Sequence, residues 1–176
     1  PKSRGLGDVY KRQETYFEDT GPIGEAVDLL CDAQSVLFLG RGLSATVAKE
    51  GALKLMELAY IPCLAYPAGE MKHGPIALLE EGSPVVVVAP NDHLKEKTMS
   101  ALHEVKARGA KVILIHEKGD SIAAEGDVSI AVPSIHPWLT PLLTVLPLQL
   151  MAYETALRLG RDVDRPRNLA KSVTVE

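Results

Sequence analysis

The stretch Pro84-Val85-Val86-Val87-Val88-Ala89 decides the fold. Four consecutive valines leave no polar face, so a strand built from them must be covered on both sides. Strands covered on both sides belong to parallel sheets whose crossovers are helices. Working outward, four further apolar runs of strand length appear at 35–39, 61–65, 111–115 and 127–132, the second being the weakest. Helical periodicity occupies 23–32, 44–59, 92–108 and 138–159, with a shorter helix over 74–80. Gly109 and Gly160 follow two of these helices, where a left-handed residue commonly ends the helix. Alternating strands and helices predict a doubly wound α/β fold, a three-layer αβα sandwich around a five-stranded parallel sheet. Pro141 suits a helical first turn, whereas Pro147 predicts a kink or a second helical piece.

Bulk properties narrow the class. The chain has 176 residues, 46% hydrophobic and 24% charged, enough for one domain with a full core. The net charge of −4 offers no electrostatic case for nucleic acid. No apolar run is long enough for a membrane span, and no secretory signal pattern opens the chain. Cys31 and Cys63 lie far apart without CxxC spacing and read as reduced thiols, consistent with a cytoplasmic protein. Residues 1–13 carry a net +3 and no evident periodicity; they read as foreign sequence or a disordered arm and stay outside the fold.

Three segments could carry chemistry. Gly40-Arg41-Gly42-Leu43-Ser44 joins a strand to a helix at the carboxyl edge of the sheet, where anions find a helix N-terminus. It lacks dinucleotide and Walker spacing, so a tight turn capped by Ser44 competes with a phosphate cradle. On the next helix Glu50, Lys54 and Glu57 share one face. That stripe is either a solvated face with ordinary ion pairs or, if Glu57 faces a pocket, the site of a carboxylate base. Tyr66-Pro67-Ala68-Gly69-Glu70-Met71-Lys72-His73-Gly74-Pro75 fixes an irregular loop in which His73 either packs the turn or serves a site. No residues stand at metal-ligand spacing, and no metal or cofactor is predicted.

The chain ends Asp162-Val163-Asp164-Arg165-Pro166-Arg167-Asn168-Leu169-Ala170-Lys171-Ser172-Val173-Thr174-Val175-Glu176, too polar for a core helix and read as an extended arm that docks. Together with Phe38–Gly42, 50–60 and 68–75, this arm resembles the second sugar-isomerase (SIS) half of the glucosamine-6-phosphate synthase family, the isomerizing glutamine–fructose-6-phosphate aminotransferases. The likeness covers residue 35 to the end and implies an SIS domain over 14–160 followed by an arm over 161–176. It implies that Glu57 is the isomerase base, Lys54 its neighbour, His73 the ring-opening histidine, Lys171 the lysine that contacts the sugar, and Ala170 a substrate contact. It further implies a homodimer in which His73 serves the partner's site, with fructose 6-phosphate and ammonia giving glucosamine 6-phosphate. Such enzymes also carry a glutaminase domain and a first SIS half with a Ser/Thr-rich phosphate loop. Neither is recognisable here, so the chain is expected to be a synthase fragment without glutaminase activity. A stand-alone sugar-phosphate-binding module and a related aminosugar-phosphate isomerase or deglycase are the alternatives.

Overall fold

The computed structural model describes residues 6–169. Within them five strands form one parallel sheet: β1 (Val36–Gly40), β2 (Cys63–Pro67), β3 (Pro84–Val88), β4 (Lys111–Glu117) and β5 (Val128–Val132). Their spatial order is β2-β1-β3-β4-β5, so the winding reverses between β1 and β3. β1 pairs with β2 from Val36↔Cys63 and with β3 from Leu37↔Val85. The weak second run starts two residues later than its pattern suggests. Pro62 has no N–H to give the ladder, and its carbonyl accepts from Val36 instead, at 3.0 Å.

Among the described residues five α-helices surround the sheet: α1 (Leu6–Glu18), α2 (Ile23–Cys31), α3 (Leu43–Ala59), α4 (Lys95–Lys106) and α5 (Pro141–Arg158). The two-residue period of the strands splits the core in two. Val36, Phe38, Val86, Val88, Ile113 and Ile115 meet α2, α3 and α5 on one face. Leu37, Leu39, Val85, Val87, Val112 and Leu114 meet α4 on the other. Each valine of 85–88 is completely buried, which is why that run could carry no polar residue.

Four expectations need correction. Residues 6–13 are not an arm outside the fold, because they form the first part of α1. Val9 and Tyr16, seven residues apart and hence on one helical face, are both buried, and Gln13 Nε2 donates to the Leu142 carbonyl at 2.9 Å. Arg12 also reaches the Ser134 carbonyl. Pro147 starts no second helical piece; it lies buried inside one continuous helix, α5. A missing N–H costs that helix one backbone bond, which its burial against α2 and α3 offsets. The short helix expected over 74–80 is a single 3₁₀ turn, Pro75–Leu78, joined through Gly74 at φ +143° to another at Met71–His73. Finally, Ser44 does not cap α3: Gly42 occupies the cap position at φ +57° and Ser44 is buried in the first turn.

Candidate functional site

α3 carries the charged stripe from the switch point to the far edge of the sheet. Its 17 residues place Glu57 about 20 Å along the axis from the Gly40–Gly42 turn. The two are therefore separate places, and the Gly40 turn is packed tight. A Cβ on Gly40 would run into the backbone carbonyl of Ser44, and Gly69 lies against the Arg41 guanidinium.

Lys54 organises the stripe. Its Nζ lies 2.7 Å from Glu57 Oε2 and 3.7 Å from Glu50 Oε1. The hydrogen bond to Glu57 holds the Lys54 pKa above the ordinary lysine value, against the opposing effect of partial burial, and the charges of Glu57 and Glu50 add to the rise. Lys54 is thus a cation throughout the physiological range. The Glu57 side chain is 28% exposed, neither solvated freely nor sealed. It borders a pocket of about 450 Å³ with Leu53 and Met56 on α3, Ile61 and Pro62 before β2, and Arg167, Asn168 and Leu169 of the arm. A carboxylate at an apolar wall, held from outside the pocket lining by the Lys54 ammonium, suits a proton transfer on a small polar substrate.

The arm reaches this pocket through Tyr60. The residue ends α3 in the left-handed conformation, φ +62°. Its hydroxyl accepts a 2.8 Å hydrogen bond from the Arg167 backbone N–H, and the guanidinium groups of Arg161 and Arg167 lie over its ring. Nothing in the sequence periodicity singles out Tyr60 or Arg167. The available signal was a tyrosine rather than a glycine at a helix end, together with three arginines crowded into 161–167.

His73 is elsewhere. It is 74% exposed and borders a second pocket of about 500 Å³ formed by Leu64, Tyr66, Pro67, Glu70 and Leu78, which shares no residue with the Glu57 pocket. Within one chain, Glu57 and Lys54 come together and His73 stands apart. Ala170 and Lys171 lie outside the described residues.

Neither cysteine is poised for attack. Burial pushes the Cys63 thiol up to about 12 and also raises Cys31, so both stay protonated at neutral pH. Among the described residues no three His, Cys, Asp or Glu side chains are placed to share a metal ion, and no helix is long and apolar enough to cross a membrane.

Residues 29–159 match the family model described as the SIS domain. The chain belongs to the SIS domain family. Among proteins similar to this SIS domain, glutamine–fructose-6-phosphate aminotransferase [isomerizing] of Thermus thermophilus is 60% identical over 164 residues, covering 93% of the chain and 27% of that protein. The protein of the same name from Legionella pneumophila is 55% identical over 140 residues, 80% of the chain and 23% of that protein. The chain thus spans about a quarter of the length of these relatives. Among solved structures, the C-terminal domain of glucosamine-fructose-6-phosphate aminotransferase from Francisella tularensis superimposes with a TM-score of 0.78 at 40% identity, over 88% of the chain and 43% of that chain.

Proposed function

We propose that this SIS domain is the carboxyl-terminal isomerase half of an enzyme that makes glucosamine 6-phosphate from fructose 6-phosphate and glutamine-derived ammonia. The observation that carries the reading is the Lys54–Glu57 pair beside a pocket walled by the arm, in a chain so similar to aminotransferases of that name. Ammonia adds to the C2 carbonyl of the open-chain sugar, and water leaves to give an imine. The Glu57 carboxylate takes the C1 proton while the C1–C2 bond becomes double and the nitrogen gains a proton. Return of a proton to C2 and loss of the C1 hydroxyl proton leave the aldehyde. Lys54 holds the Glu57 carboxylate toward the pocket, and Lys171, two residues beyond Leu169, contacts the sugar.

His73 opens the sugar ring. Its separate, exposed pocket supports a role in the site of a second copy, and hence a homodimer. The glutaminase domain and the first SIS half supply ammonia and the grip on phosphate.

The direct test replaces the corresponding quarter of the Thermus thermophilus relative with this chain and assays glucosamine 6-phosphate. Product formation that Glu57→Gln abolishes supports the proposal. A folded hybrid without product, yet able to bind the sugar phosphate, would favour a binding module instead.

A further inference from the structure

Tyr60 is an outlier with a visible use. Left-handed backbone is costly for a bulky L residue and free for glycine. Past the ends of α4 and α5 the left-handed residue is a glycine, Gly109 at φ +79° and Gly160 at φ +67°. α3 instead takes this conformation at a tyrosine, directly after its last residue, at φ +62°. A side chain retained at a strained position points to work done by that side chain.

The work is on the page. The Tyr60 ring receives Arg161 at 5.3 Å and Arg167 at 4.2 Å from its centroid, one from each end of the segment that leaves α5. Its hydroxyl oxygen takes the Arg167 N–H at 2.8 Å. Between the two arginines the segment is stiffened by Asp162, whose Oδ1 accepts from the Asp164 and Arg165 N–H groups at 3.0 and 3.2 Å. Tyr60 follows Glu57 by three residues on the same wall of the same pocket.

We infer that Tyr60 is a positioning residue: the post on which the C-terminal arm docks, holding Arg167, Asn168 and Leu169 across the edge of the Glu57 pocket. For catalysis this rests on the sugar-site reading above, because the docked arm is the segment that leads to Ala170 and Lys171. Docking in the free protein removes an ordering step that substrate binding would otherwise have to drive. Loss of the post then weakens apparent substrate affinity by the fraction of molecules with the arm docked, while a saturated enzyme turns over normally.

Amide hydrogen exchange on the 176-residue chain tests the docking without any assay of activity. Tyr60→Phe keeps the ring and loses the hydroxyl acceptor, and it should speed exchange at the Arg167 amide about fivefold. Tyr60→Gly relieves the backbone strain and removes the whole post, and it should speed the same amide several-fold further. Exchange of the β1 and β3 amides should stay at native rates, which separates undocking from unfolding. An Arg167 amide that exchanges equally fast in the native chain and in Tyr60→Gly overturns the inference.

In the Thermus hybrid, the KM for fructose 6-phosphate should rise in the order native, Tyr60→Phe, Tyr60→Gly, with kcat within about twofold. A KM unchanged while the Arg167 amide is freed would overturn the positioning role. Failure of the unsubstituted hybrid to make product overturns the sugar-site reading alone, since the exchange rates decide the docking by themselves.

Discussion

Lys54 Nζ and Glu57 Oε2 lie 2.7 Å apart on α3, and this bond fixes which way the candidate base points. They stand three positions apart, about one helical turn, so the ammonium restrains the carboxylate of a residue that lines the pocket.

Glu57→Gln keeps the shape of the side chain and removes its ability to take a proton. Product formation by the hybrid should fall at least about 100-fold, the usual scale for a positioned acid–base group. Thermal stability should barely change, because the pair is partly exposed and contributes about 1 kcal/mol or less. Unchanged turnover would remove Glu57 from the mechanism.

Lys54→Met preserves the bulk of the stem and discards the charge. We expect about a tenfold fall in kcat from a misoriented Glu57, again with little loss of melting temperature. A large drop in stability with normal kcat would make the pair structural.

His73 and Glu57 border pockets without a common residue. If His73 serves the partner's site, two inactive hybrids, Glu57→Gln and His73→Ala, should complement when mixed and allowed to exchange subunits. Half the dimers are then mixed and each carries one intact site, so recovery approaches about one quarter of native activity. No recovery would exclude a shared site. Leu64, Tyr66 and Leu78, all exposed around His73, are the apolar side chains this pairing would cover.

Acid should weaken the chain through Asp120. Burial by itself raises that carboxyl, but the Lys95 bond at 2.7 Å, the Ile122 N–H and the charges of Lys95 and His116 outweigh it and hold the pKa below the ordinary value. A carboxylate with a depressed folded pKa contributes stability above the unfolded pKa, about 3.9, and loses it as pH falls through the folded one. Asp120→Asn should cost about 1–2 kcal/mol at pH 7 and flatten the stability curve below about pH 4. Denaturant unfolding at a series of pH values reads both effects. An unchanged curve would show that the pair contributes nothing.

Two glycines should rank by what surrounds them. A Cβ on Gly51 would come within 2.7 Å of Leu148 Cδ1 and 3.0 Å of Leu148 Cβ, so the side chain must turn and α3 and α5 must part slightly, costing about 1–3 kcal/mol. At Gly40 the obstacle is the α3 backbone itself, which cannot move without reshaping the β1–α3 turn. Gly40→Ala should therefore be the more destabilising by chemical denaturation, and the reverse order would contradict this packing.

Local pattern determined much of this protein. Continuous β-branched runs such as 85–88 reveal burial on both faces, and the helical period marked α3, because both signals repeat within a few residues. The Glu50, Lys54 and Glu57 stripe was legible for the same reason. α1 was missed because Val9 and Tyr16 bury one narrow face of an otherwise polar helix, so its composition hid its periodicity. Pro147 starts no second helix because the packing of α5 on α2 and α3 holds the helix together across one missing backbone bond. The contact between Tyr60 and Arg167 spans 107 residues, and no local pattern encodes it. Only the closed fold brings the end of α3 to the arm that follows α5, and only that meeting makes a pocket beside Glu57.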